Sequence, residues 1–148
     1  MAQVHFRLET KLAPSAVLAA LTDFGPKRVK VWPNIDAQHF KLHDQGTGWA
    51  EVTEGSSVAG GVWEREKYTW DETRGTLRVE TLDSNTWGPG SGWDYKITPA
   101  ARGGSEIDVT VTRLGKSWKG RLIELGLAAA GGRMLRSQME QAMERSAT

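Results

Sequence analysis

Apolar and polar residues alternate strictly at the start of the chain, Val4, Phe6 and Leu8 against His5, Arg7 and Glu9. A period of two belongs to a strand with one face buried and the other wet. The pattern then changes. Ala13-Pro14-Ser15 opens a helix, because a proline in the first turn forgoes a hydrogen bond that the turn would not make, and Val17, Ala20, Leu21 and Phe24 recur on one face. Gly25-Pro26 ends that helix, and a second short helical segment from Lys27 to Trp32 stops at Pro33, whose ring pushes the preceding residue out of the α region.

From Ile35 onward the period of two returns, in strands over about 36–45, 48–54, 61–71, 76–83, 92–99 and 105–114. Links this short join antiparallel neighbours. Trp93, Tyr95 and Ile97, then Ile107, Val109 and Val111, alternate with polar residues, so one face of the sheet needs a cover. The cover predicted is a single helix from Lys116 to Arg145. Its expected inward stripe is Trp118, Leu122, Leu125, Ala129, Gly132, Met139 and Met143, with Arg136 out of place. A second apolar stripe, Ile123, Leu127, Ala130 and Met134, implies either a sheet that wraps around the helix or a surface that meets a partner. Gly126, Gly131 and Gly132 each cost about 1 kcal/mol against alanine in a helix interior, so a kink or a close approach is expected there.

The fold class that follows is α+β: a seven-stranded curved antiparallel sheet around a long C-terminal helix, with two short helices after strand one. A strongly bent sheet gripping one rod is hard to fill with side chains. That order of elements therefore predicts a cavity, and a cavity predicts a small-molecule ligand.

Composition narrows the function. With 148 residues, 39% hydrophobic and 25% charged, the chain is expected to form one domain over 1–148 with a substantial core. Nineteen basic residues offset eighteen acidic ones and no basic stripe stands out, which argues against nucleic acid. The absence of cysteine removes disulfides, thiolate metal sites and thiol nucleophiles, and suits a cytoplasmic location. Met1 leads straight into the alternating strand rather than into a secretory signal pattern. The least polar stretch, Leu122 to Gly132, contains Glu124 and is shorter than the ~20 residues of a membrane span, so stable insertion is not expected. Seven tryptophans are many for this length; such rings line pockets as well as cores.

Candidate chemistry centres on the fourth strand. Glu64 and Glu66 share the parity of Val62, Tyr68 and Trp70, so if the apolar members point inward both carboxyls do too. Same-face neighbours lie roughly 6.5–7 Å apart, close enough to couple, and desolvation would hold a proton on one of them near neutrality. Such a pair could anchor a ligand carbonyl or act as acid and base; a flipped strand or a wet cavity mouth would leave both acids solvated. His39 and His43 sit four apart on a strand, a span of about 13 Å that one metal ion cannot bridge, and with His5 they belong to the polar face. Gly46-Thr47-Gly48 leads into a strand and reads as a tight turn rather than a phosphate loop. The glycine-rich stretch from Asp83 to Gly92 carries Trp87 at its centre and could cover the cavity mouth as a lid. No nucleophile elbow or HExxH motif occurs.

The segment LAPSAVLAALTDF followed by VWPNI, the WEREKYTWDETRGTL strand pair, the WDYKITP strand and the long final helix resemble the START-related SRPBCC superfamily, in particular its polyketide cyclase/dehydrase and lipid-transport group. The resemblance spans the whole chain through structural motifs. It implies a helix-grip fold with a cavity for a hydrophobic ligand, and would place Trp32 and Trp118 around that cavity and its rim. The expected lining is Tyr68, Trp70, Val79, Trp93 and Tyr95 from the sheet and Leu122, Leu125 and Ala129 from the helix, with Glu64 and Glu66 as polar anchors. The function expected is binding or transport of a lipid, polyketide or aromatic molecule, without metal or cofactor. The alternatives are a cyclase/dehydratase using the two carboxyls as acid and base, and a module that forms homodimers or larger assemblies through the second helix stripe.

Overall fold

The computed structural model describes residues 1–57 and 60–147. Strand β1 (Ala2–Thr10) is followed by helices α1 (Pro14–Leu21) and α2 (Arg28–Val31) and a 3-10 turn at Ala37–His39. Six strands come next: β2 (Lys41–Gly46), β3 (Trp49–Ser56), β4 (Val62–Asp71), β5 (Thr76–Ser84), β6 (Gly92–Pro99) and β7 (Ser105–Arg113). Helix α3 (Trp118–Ser146) closes the chain. The strands form one curved antiparallel sheet in the order β1-β7-β6-β5-β4-β3-β2, a meander from β2 to β7 to which β1 is added at the far side.

The alternation read from the sequence sets which face is covered. Val4, Phe6 and Leu8 of β1 pair in register with Val111, Val109 and Ile107 of β7, and all six are buried. The intervening His5, Arg7 and Asp108 lie outside, where Asp108 accepts from Arg7 at 2.8 Å and meets His5 at 2.7 Å. Helix α1 starts at Pro14 and buries Val17, Leu18 and Leu21 against the same concave face. No helix among the described residues is long and apolar enough to cross a membrane.

One local expectation changes. The segment 36–40 does not enter β2: Asp36 accepts from the His39 backbone N–H at 3.0 Å and closes the 3-10 turn, an Asx-type contact that outcompetes the strand ladder. His43 is on β2, at a bulge, and its Nε2 meets Thr53 Oγ1 at 2.7 Å.

Helix α3 presents a different face from the one expected. Its buried line is Leu127, Gly131, Leu135, Met139 and Met143, a succession of i, i+4 steps. Each such step turns about 40° beyond a full circle, so the line runs obliquely around the rod, as i+4 ridges do when they settle on a twisted sheet. The expected stripe alternated steps of three and four and ran parallel to the axis. It meets the buried line only at its C-terminal end, in Met139 and Met143. Its N-terminal half points to solvent, with Trp118 77%, Leu122 59% and Leu125 65% exposed and Ala129 exposed as well. At Gly131 a Cβ would meet Leu127 of the same helix at 3.1 Å and Val4 of β1 only at ordinary contact distance, 3.5 Å, whereas Gly126 faces open space. The start of the helix is fixed by Ser117, whose hydroxyl accepts from the Gly120 N–H, and by Gly120, where a Cβ would stand 2.5 Å from the Thr86 carbonyl.

Candidate functional site

Between the concave sheet, α2 and α3 lies a cavity of about 230 Å³. Ile123, Leu127, Met134, Leu135 and Met139 of α3 form its apolar side, with Leu21, Ile35 and Trp32 at one end. The sheet supplies Glu54, Val62, Glu64, Glu66, Tyr68, Trp93, Tyr95 and Arg113, and the β5–β6 connection supplies Trp87.

The sheet side is more highly charged than a plain hydrophobic pocket. On β4, Glu64, Glu66 and Tyr68 alternate inward and are buried, while Arg65, Lys67 and Thr69 are exposed, so the strand has the parity that turns both acids into the grip. Their environments differ. Glu64 is held by Arg113 through two bonds, 2.6 Å from Nη1 and 3.0 Å from Nη2, and accepts a third from the Thr81 hydroxyl at 2.9 Å. A bulge between β4 and β5 sets Thr81 opposite Glu66 and Ser84 opposite Glu64, which keeps both hydroxyl side chains on the inner face. The Arg113 guanidinium in turn lies over the rings of Trp87 at 5.1 Å and Trp93 at 5.3 Å.

A second cluster mirrors the first. Arg28, buried at the start of α2, donates from Nε to Glu54 at 2.6 Å and from Nη2 to the Tyr68 hydroxyl at 2.8 Å. Its Nη1 serves the carbonyls of Leu21 and Asp23, both at 3.0 Å. Tyr68 passes its own proton on to Glu54 at 2.9 Å, and the guanidinium stacks near Phe24, Tyr68 and Trp32 at 4.6 to 5.8 Å. Burial raises the Tyr68 hydroxyl well above its usual range, and the adjacent Glu54 adds to that, so it is a neutral donor.

Between the two clusters stands Glu66, only 3% exposed. It accepts no hydrogen bond among the described residues and borders the empty space. Burial, followed by the charges of Glu64 and Glu54, pushes its carboxyl well above the usual carboxylate range, against the opposing pull of Arg113 and Arg28. Tyr95, stacked on Trp93 at 6.1 Å, shares that wall and is raised by the same desolvation. The two acids are thus unlike in chemistry. Glu64 is fixed by an ion pair, and Glu66 is the group free to hold a proton or to meet a ligand.

Of the side chains expected at the site, Trp32, Glu64, Glu66, Tyr68, Trp87, Trp93 and Tyr95 border the cavity. The others do not. Val79 is buried in the core beneath it, and Trp70 packs against Phe24 and opens onto a separate surface depression with Leu77 and Arg78. Trp118, Leu122, Leu125 and Ala129 lie on the outward side of α3, because its buried line runs obliquely; Ile123 and Leu127 of the second stripe take their place. Trp87 is not an exposed flap: it is 5% exposed, bridges to Gly115 and sits under the Arg113 guanidinium, a wall rather than a lid. Arg28, Glu54 and Arg113 are the residues that sequence reasoning missed. Arg113 and Glu54 had a signal, being two residues on from Val111 and Val52 in the inward parity of their strands.

No family model matches the sequence, and no curated protein matches it. Solved structures resemble it over nearly their whole length. A Thermus thermophilus protein superposes with a TM-score of 0.80 at 12% identity, over 97% of this chain and 96% of that one. The Zhui aromatase/cyclase from Streptomyces sp. R1128 gives 0.78 at 9% identity, over 97% and 92%. A START superfamily protein from Mycobacterium smegmatis gives 0.77 at 11% identity, over 98% and 99%. Identities this low speak to architecture and leave the chemistry of each cavity to its own residues. With a seven-stranded antiparallel sheet curved about one terminal helix and these structures superposing along its length, the chain has the helix-grip fold.

Proposed function

We propose that this protein binds a small hydrophobic molecule in the cavity between the sheet and α3, as a carrier or receptor. The observation that carries the reading is the unfilled space of about 230 Å³ itself, apolar on its helix side and bordered on its sheet side by a buried carboxyl with no hydrogen-bond partner among the described residues. Apolar walls supply affinity and a few fixed polar groups supply orientation, the usual division of labour in small-molecule sites. The volume lies at the small end for such pockets and favours a single aromatic ring or a short acyl chain over a long lipid. An environment-sensitive apolar dye should bind one to one and be displaced by the cognate ligand. A protein that leaves the dye's emission unchanged counts against the reading.

A second reading, an enzyme of the cyclase/dehydratase type, draws on one specific feature. Glu66, whose carboxyl burial pushes well above the usual range, stands at the cavity wall beside the Tyr95 hydroxyl, an arrangement suited to proton donation to a bound carbonyl. Glu64, tied to Arg113, would be a positioning group rather than the second half of a proton shuttle. In that case Glu66→Gln abolishes turnover and keeps ligand affinity within a few-fold; unchanged turnover removes the acid from the reaction. Of the stripe that suggested an assembly surface, Ile123 and Leu127 border the cavity, while Ala130 and Met134 are exposed.

A further inference from the structure

The polar group of the ligand follows from a charge count, and the count rests on the cavity-binding reading above. Among the described residues, three carboxyls and two guanidiniums border the space: Glu54, Glu64 and Glu66 against Arg28 and Arg113. Arg28 is matched with Glu54 and Arg113 with Glu64, each pair at 2.6 Å. Glu66 is left over. A second acceptor bordering the cavity is also unmet, the buried Oδ1 of Asn34, which has no hydrogen-bond partner among the described residues. Two acceptors at the cavity therefore lack a donor, Asn34 Oδ1 and the Glu66 carboxyl, and Glu66 is the one acid there with no cation of its own.

We infer that the ligand is an apolar molecule carrying a basic amine, and that its ammonium pairs with the Glu66 carboxylate in the cavity. A ligand carboxylate would bring a fourth acid next to three, in a setting of low dielectric where like charges repel strongly. A neutral alcohol or carbonyl meets Glu66 only as the protonated acid and leaves it without a cation. The walls also suit a cation, since the rings of Trp32, Tyr68 and Trp93 already lie against guanidinium groups at 5.3 to 5.8 Å. The two resident cations do not repel the newcomer at full strength, because each is neutralised by its own carboxylate.

The proton balance makes the inference measurable. Facing Glu66 are Glu54 from β3, Glu64 and Tyr68 from β4, Tyr95 from β6, Arg113 from β7 and Arg28 from α2. In the empty protein Glu66 keeps its proton. An amine arrives from water as the ammonium, and the carboxyl gives up its proton to solvent as the ion pair forms. One proton leaves per ligand bound, and no bond to carbon changes.

Calorimetry with 3-phenylpropylamine, 3-phenylpropanol and 3-phenylpropanoate, three probes of one shape, tests this. Near neutral pH the amine should bind at least about tenfold more tightly than the alcohol, with the carboxylate weakest. Titrations in buffers of different ionisation enthalpy should give one proton released per amine and none per alcohol. Amine affinity should rise up to about tenfold per pH unit while Glu66 remains protonated, and alcohol affinity should stay flat. Glu66→Gln should lose both the amine preference over the alcohol and the proton release. The proton count on the unmodified protein does not depend on how the variant folds. Alcohol binding as tight as amine binding, or amine binding without proton release, overturns the inference and leaves the cavity reading standing. Failure of all three probes to bind overturns both.

Discussion

Arg28→Ala should destabilise the protein by about 3–5 kcal/mol, which for a chain of this size lowers the melting temperature by about 10 °C or more. Few single substitutions would strip so many contacts at once. Arg28 joins α2 to β3 and β4 through Glu54 and Tyr68, ties back to the end of α1 through the carbonyls of Leu21 and Asp23, and lies against Phe24. Alanine would leave the Glu54 carboxylate buried beside the Tyr68 hydroxyl with no cation to compensate it, and an unpaired buried charge costs more than the pair ever contributed. A second variant separates charge from packing. Arg28→Met combined with Glu54→Leu removes both charges and keeps the volume, so it should recover most of the lost stability in urea melts. A double variant as unstable as Arg28→Ala would mean that the loss comes from packing and not from the stranded carboxylate.

Glu66→Gln should raise stability near neutral pH, an unusual result for a candidate functional residue. The sign follows from linkage. The folded-state pKa of Glu66 lies above its unfolded value, so between the two the native state holds a proton that the unfolded chain has released. Stability is therefore full below the unfolded pKa and falls as pH rises toward the folded one, by up to ~1.4 kcal/mol per pH unit. Glutamine mimics the protonated acid and does not titrate. The difference between variant and parent should be smallest below the ordinary carboxylate range, where both carry a neutral side chain, and should grow in favour of the variant as pH rises above it. A difference that stays constant with pH would place the Glu66 carboxyl in contact with water or a cation, contrary to its buried position at the cavity wall. That a residue costs stability where it stands is itself a mark of a site shaped for something other than folding.

How much of this was legible beforehand depends on the periodicity in question. A period of two cannot drift, so the inward faces of β1 and β7 could be assigned residue by residue; on β4 it shows that Glu64 and Glu66 share one face with Tyr68 but leaves open which face that is. A helix offers no such certainty when it is apolar around most of its girth. The middle of α3 carries two stripes, and the choice between them is made by the twist of the sheet, which no local pattern encodes. Arg28 shows a different limit. It lies in a helix of four residues, and nothing nearby in sequence marks it as buried; its partners are 26 and 40 residues away. Trp87 misled for a third reason. Glycines surround it, and a glycine-rich stretch reads as an exposed flap, yet the Gly88 N–H bonds the Leu114 carbonyl at 2.7 Å and draws the ring under Arg113.

The open space between the sheet and α3 is the claim on which binding, charge count and ligand class all rest, and filling it is the direct test. Leu127 borders the cavity from the helix and is exchanged for a larger side chain without touching either ion pair. Titration of an apolar fluorescent dye into the parent protein and into Leu127→Trp, with circular dichroism confirming that both are folded, makes the comparison. The account predicts saturable one-to-one binding in the parent and a loss of about tenfold or more in the variant. Equal dye affinity in the two proteins would place binding elsewhere on the surface and contradict it.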